Sequence, residues 1–401
     1  MTVIDLHILQ AYPPSLLNRD DLGQPKTTVF GGVTRTRVSS QALKRSQRLY
    51  TSSHGLVPDS NLATRTRHLP ILLAQRLEER HGVDRDDALA LAMNTVWGMG
   101  VLNTAGDSRL TTVLLFLGSS EVEHIATVVA GRRDELLGWA VPPERIGPPS
   151  DAEGARPRGT RERKADCPQI FRDLGRHLLG STDPTKAVDV ALYGRFLAED
   201  HRVDVDGASS TAHAFSIGEH HLDLDYYAAV DDVEERGAGF LNTGALTAPV
   251  LYRYSNLDTT VLTANLGGDA DLAHLAAGSW LTAAIHSLPR AKAASTAPAT
   301  RPILVLAVVR RDQALSMANA FLRPVRPTRE TDMGQAGIAA LARHWAHLGD
   351  SYGHDGVDAA FVVHVGDPAD LPPRMPGKLV SAAELVSAAA ALALERAAVA
   401  A

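Results

Sequence analysis

Seven basic residues, Arg19, Lys26, Arg35, Arg37, Lys44, Arg45 and Arg48, fall between Asn18 and Arg48, against two acidic ones, Asp20 and Asp21. This local surplus of five positive charges sits in a chain of formal net charge −6, which leaves −11 on the rest. Ser39-Ser40 offers a helix start, and Gln41, Lys44, Arg45 and Arg48 follow at spacings of 3, 1 and 3, which on a helix share one face. Backbone N–H groups and hydroxyls at such a start, with cations along one side, suit a row of phosphates. A solvated basic face has the same composition, and the charge pattern alone does not choose between the two.

Two further features bear on nucleic acid. Arg156, Arg158, Arg161, Arg163 and Lys164, against Glu162, lie in a Pro- and Gly-rich stretch. That is charge without fixed geometry, fit for non-specific backbone contact or for a plain exposed loop. Tyr226 and Tyr227 are adjacent aromatics in a chain with 5% aromatic residues. On a strand one faces the core and the other projects outward, where a ring can stack on a base; burial of both is the alternative.

Other chemistry is not indicated. There is no P-loop, strand-linked GxGxxG, HExxH or GxSxG. His220-His221 on a strand point to opposite faces, and Asp231-Asp232 beside a turn reads as a solvated carboxylate pair. No nucleophile has its partner, so neither an enzyme nor a cofactor or metal is expected. The single cysteine, Cys167, excludes a disulfide framework and a multi-cysteine zinc site, and fits a reducing cytoplasm.

The elements that would hold these residues follow from patterning. At 401 residues, 45% hydrophobic and 21% charged, the chain is globular and of two-domain length. Residues 3–9 alternate Ile4, Leu6 and Ile8 with Asp5 and His7, predicting a half-buried strand with no secretory leader before it. Residues 12–32 read as a loop and 41–50 as a helix. Residues 56–184 read as a mostly helical insertion, with helices over 68–81 and 86–99, apolar runs over 110–117 and 122–137, and an exposed loop over 141–164. Strands are expected at 188–192 and 222–227. The latter runs through Val230 to the acidic turn 234–237 and a second extended run at 249–256, a hairpin pattern. Helices over 258–265 and 270–286, a buried strand at 303–309, a helix beginning at 316–322 and a strand at 361–365 follow. The alanine-rich tail is broken by Glu384, Glu395 and Arg396, which predicts a soluble helix and no membrane partner. The expectation is a cytoplasmic protein with a discontinuous α+β domain interrupted by helices.

Asn18-Arg19-Asp20-Asp21, Phe30-Gly31-Gly32 and Arg37-Val38-Ser39-Ser40-Gln41-Ala42-Leu43-Lys44-Arg45 closely resemble the start of the CasC family, the backbone subunit of the type I-E CRISPR Cascade complex. Further similar stretches occur in order, among them Val190-Ala191-Leu192-Tyr193-Gly194-Arg195-Phe196, Ala212-His213-Ala214, Asp225-Tyr226-Tyr227 and Leu315-Ser316-Met317-Ala318-Asn319-Ala320-Phe321. The resemblance implies a modified RNA-recognition (ferredoxin-like) palm over 1–55 and 185–401, helical fingers over 56–184 and a β-hairpin thumb over 220–250. It implies a non-catalytic subunit that polymerises along CRISPR RNA, kinks it at intervals and presents it to target DNA, with other copies of itself and other Cascade subunits as partners. Asn18, Arg19, Lys26, Ser39, Ser40, Gln41, Lys44, Arg45 and Arg48 would then hold the RNA backbone. Phe196, Tyr226 and Tyr227 would sit at the kink, and Lys292 would match a further basic position. The cluster from Arg156 to Lys164 would be a candidate for DNA contact. Phe196 stands where the family has methionine, Tyr226 where it has tryptophan, and the usual RNP consensus is absent. The rival reading is a type III-like backbone subunit that cuts target RNA in a metal-dependent way, with Asp20 or Asp231 as the loop aspartate.

Overall fold

The computed structural model describes residues 1–146, 166–181, 183–196, 204–230, 238–289 and 291–400. The fold is mixed α+β, and the chain divides into two compact units, Met1–Leu56 with Ser209–Leu262 and Ala273–Ala401, and Val57–Ala208 with Thr263–Leu272.

In the first unit the chain opens with β1 (Val3–Ala11), hydrogen-bonded on one side to β10 (Val250–Asp258) and on the other to β11 (Leu304–Arg310), both antiparallel. The sheet continues beyond β10 through β7 (Ala214–Ser216) and β3 (Val33–Val38) to β2 (Thr27–Phe30), and beyond β11 through β12 (Val357–His364) to β13 (Lys378–Leu379). The short β6 (Ser209–Thr211) also pairs with β10. Only the β12–β13 pairing is parallel among the described strands. The helix Met333–Tyr352 and the helix Ala382–Ala400 both pack on β1.

Consequently β1 is buried on both faces, where the alternation predicts one face in water. Ile4, Leu6 and Ile8 fill one side, and removing each from water contributes roughly 1.5–3 kcal/mol. Asp5 and His7 face a second polar layer instead of solvent. Asp5 accepts from the Tyr254 hydroxyl at 2.7 Å and from Leu315 N–H at 3.0 Å. His7 Nδ1 pairs with the Tyr252 hydroxyl at 2.9 Å, and that hydroxyl accepts from Met317 N–H at 3.0 Å. Burial pushes Asp5 up to about 6 and His7 down to about 3. The stretch 315–317 is thus tied to the sheet, and the helix expected from 316 is only the 3-10 turn Ala318–Phe321.

The hairpin also differs from expectation in its second strand. β8 (Asp223–Val230) pairs with β9 (Ala238–Leu246), whereas the run at 249–256 is β10 of the main sheet. His220-His221 precede β8 and lie outside any strand. The turn 234–237 and Asp231-Asp232 lie outside the described residues. Within the stretch read as a loop, Gly31 and Gly32, at φ 62° and 79°, close a two-residue turn between β2 and β3. A Cβ on Gly31 would stand 1.8 Å from the Leu322 carbonyl oxygen, so only glycine fits there.

The second unit is built on α2 (Leu69–His81), α3 (Arg85–Gly98), α4 (Ser119–Gly131) and the helix Gln169–Ser181, with the ribbon β4 (Ala63–Thr66) and β5 (Leu115–Gly118). Leu69, Leu73, Leu77, Leu91, Ile125 and Phe171 are fully buried in its core. Gly98 lets α3 meet the helix Gln169–Ser181 backbone to backbone, since a Cβ there would lie 1.9 Å from the Phe171 carbonyl oxygen. Residues 188–192, read as a strand, lie in the helix Val188–Tyr193. All five are buried, so no exposed face gives the segment a readable period, and Asp189 accepts from Ala63 N–H at 2.8 Å. Cys167 is buried, which pushes its thiol up to about 12. Among the described residues no helix is long and apolar enough to cross a membrane.

The Arg195 guanidinium meets Glu121 at 2.8 Å with both side chains almost wholly enclosed, and Glu121 also accepts from Gly118 N–H at the start of α4. Arg195→Leu strands a buried carboxylate and should lower stability by about 3–5 kcal/mol in denaturant unfolding, with partial recovery in Arg195→Leu/Glu121→Leu. An additive double variant would contradict this. For Asp5, the native carboxyl keeps a proton that the unfolded chain releases from pH 3.8 upward. Its contribution is therefore complete below about pH 4 and is lost as pH rises through about 6, a change on the order of 3 kcal/mol. Asp5→Asn should flatten that part of the stability–pH profile. Parallel profiles would exclude it.

Candidate nucleic-acid interface

Ser39, extended at φ −69° and ψ 146°, caps the helix α1 (Ser40–Ser53), and its side chain accepts from Ala42 N–H. The cap is held from outside by Asn18, whose Oδ1 accepts from Ser39 N–H at 3.0 Å. Asn18 carbonyl accepts from Lys26 N–H, and Lys26 carbonyl in turn from Arg37 N–H at 2.7 Å. One backbone chain of hydrogen bonds thus joins the Asn18 loop, Lys26 and the β3 strand to the start of α1.

Helix α1 buries Leu43, Gln47 and Thr51, a stripe at spacings of four. Gln41 and Arg45 are exposed; Lys44 and Arg48 are half-buried on the flank. Lys44 Nζ donates to the Ser209 carbonyl at 3.4 Å, and desolvation lowers its pKa. The expected common face is therefore present, with its cations at two depths. Leu43 anchors the helix, whereas Leu49 is 42% exposed.

Arg19 is exposed next to its backbone bridge with Pro25, and Lys26 is half-buried. Asp20 Oδ1 accepts from Leu22 N–H and Gln24 N–H at 3.0 and 2.8 Å, so this carboxylate closes a turn. Arg35 departs from the surface reading altogether. Its side chain is buried and donates to the carbonyls of Ser216, Ile217, Gly218 and Phe321. Arg37 reaches Thr27 carbonyl and His213 Nδ1. That nitrogen also faces Ser40 N–H at 3.4 Å, and its neighbours Arg37 and Lys26 together with burial hold His213 below the ordinary imidazole range. His213 was not identified from sequence as a site residue. Only the pairing of β3 with β7 brings it to the start of α1.

Both tyrosines of β8 are exposed, Tyr226 by 68% and Tyr227 by 40%, although adjacent strand residues were expected to split between core and solvent. The reason is that among the described residues β8 and β9 pair only with each other, and every residue from Asp223 to Ala228 is exposed, so along that stretch neither face has a core behind it. The ribbon is tied at its base, where Ser15 and Thr247 exchange two backbone hydrogen bonds of 2.9 Å. Lys292 is exposed, in the left-handed region at φ 47°, ahead of the short helix Ala293–Thr296. Phe196 belongs to the second unit and is 73% exposed, immediately after the enclosed Arg195. Arg156, Arg158, Arg161, Arg163 and Lys164 lie outside the described residues. Among the described residues no group of three or more His, Cys, Asp or Glu could hold a metal ion.

The chain thus combines a mixed sheet carrying a capped cationic helix, an exposed aromatic hairpin and a helical second unit. Residues 4–385 match the family described as CT1975-like protein, and the chain belongs to that family. A chain from a structure described as a CRISPR RNA-guided surveillance complex, pre-nicking, is 32% identical with a TM-score of 0.78, over 98% of this chain and 100% of that one. Another, from a CRISPR RNA-guided surveillance complex, is 28% identical with a TM-score of 0.70, over 97% and 99%. Comparison with curated protein sequences gives no match.

Ser39→Ala removes the α1 cap and should cost about 1 kcal/mol, whereas Ser39→Asp should retain it. Thermal unfolding of the two variants side by side checks this, and equal midpoints would count against the cap.

Proposed function

We propose that this chain is the non-catalytic backbone subunit of a type I-E CRISPR surveillance complex, holding the guide RNA along α1. The observation that carries the reading is the pinned start of α1 with Gln41, Lys44, Arg45 and Arg48 on one side. Backbone contacts of this kind fix the path of the RNA without reading its sequence, so any spacer can be carried. Copies would stack along the RNA, and the sheet unit would serve as a ferredoxin-like palm, the helical unit as fingers and the β8–β9 ribbon as a thumb. Tyr226 and Tyr227, with Phe196 as an apolar wedge, would displace a base at intervals. Short pre-ordered runs of the remaining bases would then pair with target DNA at a reduced entropy cost, and specificity is left to base pairing. Other copies, other subunits of the complex and target double-stranded DNA are the partners this reading requires. The similarity of the chain over nearly its whole length to chains of such complexes supports it.

Lys44→Ala combined with Arg48→Ala should weaken RNA binding alike for unrelated sequences. It should also reduce the slope of log affinity against log salt by about 1.4, at roughly 0.7 per lost contact on a single strand. A filter-binding titration at several salt concentrations measures both, and an unchanged slope removes the assignment. Tyr226→Ala with Tyr227→Ala should alter which bases react in chemical probing of the assembled complex more than it alters affinity. Identical reactive positions would refute the wedge.

A further inference from the structure

Beside the cationic face of α1 lies a groove of about 500 Å³, within the size range of small-molecule sites. One wall is α1 and its C-cap, through Arg45, Leu49, Tyr50 and His54, and the other is formed by residues 286–289, 291, 293 and 297–299. Among the described residues no carboxylate lines it, in a chain whose net charge is −6. Tyr50 stacks on His54 with ring centroids 3.8 Å apart and lies 6.3 Å from His286, all three rings within 27° of parallel to Tyr50. Ser287 also lines the groove. It is 2% exposed, and its hydroxyl has no hydrogen-bond partner among the described residues. A buried hydroxyl left unpaired is costly and marks a place where a polar ligand edge completes the structure. The facing strap is held in shape by two non-glycine residues in the left-handed region, Lys292 at φ 47° and Ala297 at φ 42°.

We infer that this groove is a nucleobase subsite, which takes one unpaired base of the single-stranded RNA lying along α1. The base stacks against the Tyr50–His54 pair, its polar edge meets the Ser287 hydroxyl, and Arg45 at the rim faces the adjoining phosphate. Stacking on an aromatic ring is tolerant of base identity, as a guide of arbitrary sequence requires. Apolar walls and flanking cations favour a base joined to its phosphate over a free anion. The inference rests on the reading of α1 as an RNA-binding helix.

The test titrates a fluorescein-labelled, unstructured single-stranded RNA, and a matched strand carrying abasic sites, against the full chain and its variants. Tyr50→Ala should weaken binding of the base-bearing strand by about tenfold with an unchanged salt slope. Tyr50→Phe should bind like the parent, and the abasic strand should not distinguish Tyr50→Ala from the parent. Equal loss for both strands would mean that the variant merely damages α1, and would overturn the subsite. Loss of self-association without loss of RNA affinity would assign the groove to a second copy, and would also overturn it. The Lys44→Ala/Arg48→Ala variant separates the two readings. If it weakens binding and Tyr50→Ala does not, the helix reading stands and the groove fails; if neither has an effect, the helix reading fails as well.

Discussion

A full positive charge sits in the interior of the sheet unit, on Arg35, and the carbonyls of Ser216, Ile217, Gly218 and Phe321 solvate it in place of water. Burying an unpaired guanidinium is prohibitively expensive, so those carbonyls must stay where they are. They belong to the end of β7 and the two residues after it and to the 3-10 turn Ala318–Phe321, while Arg35 belongs to β3. The ribbon of β2 and β3, with Lys26 and Arg37 on it, is therefore fixed relative to the loop over 315–322. That loop is fixed in turn to the centre of the sheet by Asp5, Tyr254 and Tyr252. Gly31, pressed against the Leu322 carbonyl, closes the same junction from the other end of the ribbon. The position of the cations follows from a set of buried polar contacts.

Electrostatics divides the chain into regions of different use. The charges around α1 accompany a surplus of acidic residues elsewhere, so attraction for a polyanion is local while the whole stays negatively charged and repels itself in solution. Lys44, partly desolvated, and Arg45, exposed, occupy different depths of the same face. A polyanion laid along it would meet donors with unequal freedom to rearrange. The exposed members lose most to salt, and the sunken ones keep their geometry.

What patterning could reveal depended on whether a segment has water on one side. Helix α1, with one wet face and one dry, was readable to within a few residues, and its cap and cations lay where their spacing put them. Segment 188–192 is buried all round, so its period vanished and a helix read as a strand. β1 showed true alternation, but Asp5 and His7 meet other buried polar groups and not solvent, which no one-dimensional pattern encodes. The β2–β3 turn carried its signal, two glycines between extended residues, within a stretch dominated by polar residues. The partner of β8 was misjudged because β9 is interrupted by Gly239 and Gly244, while the stronger run of β10 belongs to the sheet. His213 and the buried Arg35 acquire their roles only through pairing between distant strands.

The β8–β9 ribbon has a consequence for how the protein must be handled by the cell that makes it. Two strands without a hydrophobic face are marginal in water, and each leaves one edge of N–H and C=O groups unmatched among the described residues. Leu224 and Tyr226 add exposed apolar area to those edges. An uncovered ribbon is therefore a vulnerable element, open to strand-to-strand clumping and to proteolytic nicking. Any surface that paired with those edges would close them and remove both hazards.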